Sequence, residues 1–272
     1  PRRNYISFVG QRGINANISI DGADYNNGFF GGMRGGERAN NAFSIPQESI
    51  REFQVVPYGY SAEFGRSSGG LLNAVTKAGT NAWHGSGFGF LRHKEVSKTD
   101  PFLRATLSSQ TQFGGSIGGP ISLDKSFVFF AIEDQINDNP RFVVFRRLQE
   151  PATTRSTSEA FLFYDAHETP FTQTNDAISF LGRWDHNLTS NHRLSARYHQ
   201  SENEAANASA TGDDIRPETN FALSTNGTEG SKTKTILGNL TSILSPRTIN
   251  EFRAQFSRED RPRTANSCGP GI

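Results

Sequence analysis

The sequence is poor in cysteine, methionine, tryptophan and long apolar runs. One cysteine, Cys268, excludes an internal disulfide framework and a cysteine-built zinc site. The longest fully apolar run is "FVFFAI" (127–132). A helical span needs about 20 apolar residues, so no helical membrane segment is expected. Neither charge sign dominates: 28 Lys and Arg stand against 27 Asp and Glu. Nucleic acid is therefore not an expected partner, since binding it usually requires a basic surplus. No signal peptide is visible. The text begins at Pro1 and stops in "NSCGPGI", which closes no obvious element, so an excised piece of a longer chain is expected.

What is present is phenylalanine, 22 residues of it against a single methionine. Aromatics scattered through a polar chain suit strands with two unlike faces. Helical periodicity is nearly absent, and the best candidate is a short turn in "IPQESIREF" (45–53). Alternation is plain in four places. Leu194, Ala196 and Tyr198 oppose Arg193, Ser195, Arg197 and His199. Phe252, Ala254 and Phe256 oppose Glu251, Arg253, Gln255 and Ser257. Ile178, Phe180, Gly182 and Trp184 oppose Ser179, Leu181, Arg183 and Asp185. Phe113, Gly115 and Ile117 oppose Gln112, Gly114, Ser116 and Gly118. "KSFVFFAIEDQ" (125–135) is apolar on both faces at its centre, which requires something packed against its inner side.

Connections separate a membrane barrel from a soluble sandwich. Short turns at 118–126, 187–192 and 244–248 alternate with longer polar stretches near 94–106, 138–176 and 204–230. That asymmetry fits short periplasmic turns and long extracellular loops. Trp83, Phe88, Phe90, Trp184 and Tyr198 are candidates for aromatic girdles at the headgroups. The competing reading is a secreted or surface β-sandwich adhesin or carbohydrate-binding protein, in which the same faces pack against a second sheet.

No catalytic chemistry is legible. "GGMRGGER" (31–38) lacks the Gly–Lys–Ser/Thr of a phosphate loop. The six histidines form no HExxH pair, and no Gly–x–Ser–x–Gly elbow is present. The expectation is a protein that is not an enzyme, with no catalytic residues, metal ligands or cofactors.

One stretch carries a family likeness. Ile50, Phe53 and Val55 precede Tyr60, Ala62, Glu63, Phe64, Gly65 and Arg66. Gly69, Gly70, Asn73, Val75, Thr76 and Lys77 follow, then Gly79, Thr80 and Asn81. This order resembles the plug-to-barrel junction of TonB-dependent outer-membrane receptors, in the Oar-like branch whose full chains usually carry a carboxypeptidase-regulatory-like domain. "ISIDGADYNN" (18–27) and "QFGGSIGGPI" (112–121) resemble a plug strand and a first periplasmic turn of that family.

The resemblance implies an all-β chain with a small α/β plug part. The C-terminal part of a plug, residues 1–81, would precede the first part of a transmembrane antiparallel barrel, residues 82–272. The barrel part would hold about seven strands of the roughly 22 of such transporters. It further implies a bacterial outer-membrane location and energy-coupled import of a saccharide, peptide or chelate. The implied partners are outer-membrane lipid, an extracellular substrate and the TonB–ExbB–ExbD complex, reached through a motif outside this stretch. Asn26, Asn27, Arg34, Glu37, Arg38 and Asn41 would offer polar groups to substrate. Glu52, Glu63 and Arg66 would hold the plug to the barrel.

Overall fold

The computed structural model describes residues 6–28, 32–34, 45–61, 65, 68–93, 108–145, 159–208 and 218–268. Two sheets account for nearly all of them. The small sheet is built from β1 (Ala16–Ile20), β2 (Ala23–Asp24), β3 (Ile50–Val56) and β4 (Gly70–Thr76), in the order β2-β1-β4-β3. Strands β1 and β4 run parallel, while the other neighbours are antiparallel. Between β1 and β2 the chain reverses through Asp21 and Gly22, with φ of 51° and 71°. Positive φ at both central residues is what an Asp–Gly hairpin turn supplies.

The large sheet begins with β5 (His84–Arg92), β6 (Ser109–Ser122), β7 (Ser126–Val143), β9 (Asp176–Thr189), β10 (His192–Ala208), β12 (Gly227–Ser245) and β13 (Thr248–Asp260). These seven pair antiparallel, each with the next, in chain order. Three short strands, β8 (Pro170–Thr174), β11 (Glu218–Thr219) and β14 (Arg263–Ala265), add to the far ends of β7 and β12. No helix among the described residues is long and apolar enough to cross a membrane.

Every strand predicted from alternation is present, but strands reach into the stretches expected to be loops. Strand β7 runs through 138–143, and β8 with the seven-residue helix α1 (Glu159–Asp165) occupies part of the expected 138–176 loop. Likewise β10 and β12 extend into the expected 204–230 loop. The reason is compositional. These extensions mix polar residues with Phe142, Val143 and Ala205 in no regular alternation, yet their backbones continue the ladder from strands already paired. The expected helical turn at 45–53 is a 3-10 turn at Gln47–Ser49 only, and Ile50 already starts β3.

The two faces of the large sheet differ in kind. On the face that meets the small sheet, Glu133, Gln135, Ser179, Asp185, Arg197, His199, Thr233 and Thr235 are buried. On the opposite face Phe113, Ile117, Phe130, Ile132, Ile178, Ile236, Phe252 and Phe256 are exposed. This is the reverse of a soluble domain, and it is the pattern of a wall with a polar lumen and an apolar outer band. Phe130, Phe180 and Tyr198 form a row across three adjacent strands of the outer face, with ring centroids 6.4 and 6.3 Å apart. They flank Gly182, which is paired with both Phe130 and Tyr198.

The doubly apolar centre of β7 resolves as expected. Phe129 and Ala131 turn inward with Leu181, and Ile45 from beside the small sheet packs on them. Phe130 and Ile132 point out. Two girdle candidates need correction. Phe88 and Phe90 share the face of Ser86, which meets Glu48 of the small-sheet region, so they face inward. Strand β5 carries glycine at 85, 87 and 89 on its outer face, so the aromatics had no other side to occupy.

Candidate functional site

The site is the seam where the small sheet meets the polar face of the wall. Its centre is Asp21, held at the tip of the β1–β2 turn. One carboxylate oxygen accepts from the Thr76 backbone N–H and the other from the Thr76 hydroxyl, each at 2.8 Å. The Arg197 guanidinium of β10 donates to the second oxygen, and the Arg183 guanidinium of β9 stands 3.8 Å from the first. Arg183 also donates to the Thr76 carbonyl at 3.2 Å and hydroxyl at 3.0 Å, and it grips Asp185 with two bonds of 2.8 and 3.1 Å. Side-chain exposure is 4% for Arg197 and 18% for Asp21, so the pair is largely out of water. A desolvated pair is costly to break because it strands a charge.

Further contacts extend the seam. The Gln47 backbone N–H, in the 3-10 turn before β3, donates to buried Glu133 of β7 at 2.7 Å, and Gln112 of β6 donates to the other carboxylate oxygen at 2.5 Å. The Ser86 hydroxyl of β5 donates to Glu48 at 2.6 Å, and the Lys77 ammonium does so at 3.1 Å. The Ser86 bond, with Lys77 next, holds the Glu48 carboxyl below its ordinary range. On β13, Arg253 donates to the Gly22 carbonyl and Gln255 to the Asp24 carbonyl, both at 2.8 Å. Gly22 is favoured by its φ of 71°, and a Cβ there would push the Arg253 guanidinium off its bond to the Gly22 carbonyl. Tyr25 meets His199 edge-on at 5.8 Å.

The passage from one sheet to the other is itself pinned. A Cβ on Gly79 would strike the Val128 and Gly119 carbonyls, so the chain passes against β6 and β7 where only glycine fits. Asn81 then donates its amide to Asp124 and accepts the Asp124 backbone N–H at 2.8 Å, clamping the junction to the β6–β7 turn.

The residues expected to touch substrate are placed as follows. Asn26 is buried, and its amide is committed to the Ile18 N–H, Asn17 and Asp24. Asn27 donates to Glu259 of β13 at 3.4 Å. Arg34 donates to the Asn26 carbonyl at 3.3 Å and leaves its second terminal nitrogen buried without a partner. Glu37, Arg38 and Asn41 lie outside the described residues. Of the expected plug–barrel contacts, Glu52 sits exposed on β3 and bonds Arg51 at 3.0 Å, while Glu63 and Arg66 lie outside the described residues. The residues that do bridge the seam (Asp21, Glu48, Glu133, Arg183, Arg197 and Arg253) escaped sequence reasoning as a set. The usable signal was charge on inward strand positions, at Arg183, Arg197 and Arg253, facing an Asp–Gly turn. Among the described residues no group of His, Cys, Asp and Glu is arranged to hold a metal ion.

Comparison with known proteins fits this geometry. The profile of the outer membrane beta barrel domain matches residues 75–148 and 143–271. The TonB-dependent transporter Oar of Myxococcus xanthus is 27% identical over 207 residues, which cover 71% of this chain and 19% of that protein. Among solved structures, the siderophore receptor PirA from Acinetobacter baumannii aligns with 98% of this chain and 36% of its own. Its TM-score is 0.61 at 17% identity. The outer membrane transporter YddB from Escherichia coli aligns with 94% of this chain and 32% of its own, at TM-score 0.58 and 13% identity. The chain thus spans about a fifth of the Oar relative and about a third of these structures. With its inverted strand faces, its filled inner side and these matches, the chain belongs to the outer membrane beta barrel domain family and is an Oar-like, TonB-dependent-receptor homologue of the outer membrane.

Proposed function

We propose that the whole protein is an energy-coupled outer-membrane transporter, in which residues 1–81 are the end of a plug and residues 82–272 the first part of the barrel. Substrate arriving from outside, a saccharide, peptide or chelate, engages the plug loops around Asn27 and Arg34. The TonB–ExbB–ExbD complex then pulls on a segment beyond this stretch, and the small sheet shifts along the lumen wall. Nothing is chemically transformed. The work lies in breaking and remaking the seam.

The observation that carries this reading is the Asp21–Arg197 pair with its Thr76 and Arg183 partners. It is the most buried ion pair among several polar contacts that hold the small sheet in place of a broad apolar interface, and such contacts can be released and re-formed. The main apolar contact across the seam is Ile45 on Phe129, Ala131 and Leu181.

A thiol crosslink tests the movement. In the full-length receptor with Cys268→Ser, Asn27→Cys and Glu259→Cys are joined by a short bis-maleimide in cells. Transport predicts that substrate-dependent growth or uptake falls at least about tenfold on crosslinking and is intact in each single-cysteine parent. Undiminished uptake through a quantitatively crosslinked receptor would remove plug displacement from the mechanism.

A further inference from the structure

Next to the Asp21 node, the lumen wall changes character. Ascending β10 and β12 from Arg197, the inward residues are His199, Ser201 and Asn203 on one strand and Thr235, Thr233 and Ser231 on the other. Ser201 pairs with Thr233, and Asn203 with Ser231. All but Ser231 are buried. Three buried polar atoms there have no partner: the Asn203 side-chain oxygen and the Ser231 and Thr233 hydroxyls. Asn203 does spend its amide N–H groups, on the Asn175 side chain at 2.6 Å and the Asp176 carbonyl at 3.1 Å, so only its acceptor is left over. Buried polar groups without partners are uncommon and costly, and in one small patch they call for an explanation.

Among the described residues the patch carries no net charge. Glu259, paired in register with Thr233, is bonded to Arg261 at 2.6 Å, and Glu229 is bonded to Arg263 at 3.2 Å. Among the described residues of β10, β12 and β13 around the patch, the inward-facing carboxylates are already ion-paired, which favours neither an anionic nor a cationic ligand. What the wall offers is an acceptor and two hydroxyls that can donate or accept, which is the complement of a neutral polyol. Tyr25 of the small-sheet region meets His199 beside the patch, and Asn27 bonds Glu259, the register partner of Thr233, neither bonding these three groups.

We infer that the inner wall formed by Asn203, Ser231 and Thr233 is a subsite for a neutral glycan, exposed as the plug shifts. This rests on the transport reading above and gives it a substrate class. A glycan hydroxyl edge would satisfy the three orphaned atoms, so the wall is polar for the ligand's sake while the closed state bears the cost. A site built to hydrogen-bond hydroxyls also rejects ligands that lack them, because its own groups would stay unpaired.

The test uses full-length receptor purified in detergent, wild type and the shape-conserving double variant Asn203→Leu, Thr233→Val. Both are applied to an array of neutral and acidic glycans, with a neutral peptide library and a ferric catecholate chelate as comparison ligands. Heat-modifiable migration on electrophoresis checks that the variant barrel is folded. If it is not, Ser231→Ala alone takes its place. Selective retention of neutral glycans, weakened about tenfold or more in the folded variant, supports the subsite, since each lost buried bond is worth a factor of several. Preference for peptide or chelate, retention of none of the classes, or glycan binding indifferent to the substitution overturns it. Crosslink-sensitive uptake of a peptide or chelate would leave the transport reading standing while this one falls.

Discussion

The two faces of the large sheet are made from the same strands and obey opposite rules. Inward positions carry Arg183, Arg197, Glu133 and Asp185, each with a partner supplied by the wall or the small sheet. Outward positions carry Phe252, Phe256, Ile236 and Phe130, which lie exposed on the far side of the sheet. In a soluble protein the outer set would be the core and the inner set the surface. The difference teaches where water is. In the transport proposed above, the outer face has hydrocarbon as its solvent, and the inner face is held by specific bonds to a filling that moves.

Asp21→Ala attacks the inner face and carries the largest expected effect. It leaves the Arg197 guanidinium buried without its counter-charge, which costs about 3–5 kcal/mol. Because the loss falls at the seam, the barrel should still insert while the plug loosens. Cells carrying the full-length variant should become sensitive to antibiotics too large for ordinary porins, with receptor abundance unchanged. Abundance falling in step with sensitivity would mean that Asp21 serves folding of the whole chain.

Ile236→Arg attacks the outer face of β12, where its neighbour Leu237 faces in. A charge at mid-bilayer depth costs about 2–4 kcal/mol in a membrane barrel. The expected outcome is a severalfold drop in receptor recovered from the outer-membrane fraction. Normal recovery would place Ile236 in water and break the contrast between faces.

The smallest effect concerns pH at the edge of the seam. Glu48 has its folded pKa lowered, chiefly by the Ser86 hydroxyl and then by Lys77. Its contribution is therefore present above the ordinary glutamate value and is lost as pH falls through the lower folded value. Ser86→Ala should move that loss to higher pH by removing the main cause. Proteolysis of the small sheet in the intact receptor, followed as pH is lowered, should begin earlier in the variant. Coincident profiles would show that the Glu48–Ser86 bond does not hold the seam.

Much of this contrast was legible in the sequence. The facing of 112–119, 178–187, 192–200 and 250–258 follows from period two, because a β-strand offers only two sides. That one apolar face of β7 packs inward was legible as well, since a doubly apolar strand in a polar chain needs a filled lumen, but the pattern is equally apolar on the side of Phe129 and that of Phe130 and does not say which. The length of β7, β10 and β12 was not, for their ends have no regular alternation to read. Nor was the Asp21–Arg197 pair, whose members lie 176 residues apart and meet only once two sheets are docked. Glu52, a charge near the junction, bonds its neighbour Arg51. Parity is local information, whereas partnership across a seam is not.

The central claim, lipid on one face and a filled lumen on the other, is tested most directly by spin labels placed one at a time at residues 250–258 of the full-length receptor in liposomes. Collision with oxygen, which concentrates in hydrocarbon, and with a water-soluble nickel chelate is measured at each position. The account predicts a period of two, with oxygen maxima at 252, 254 and 256 and low access to both reagents at 253, 255 and 257. Low access to oxygen at 252, 254 and 256 would contradict it, because those side chains would then be packed against a second sheet.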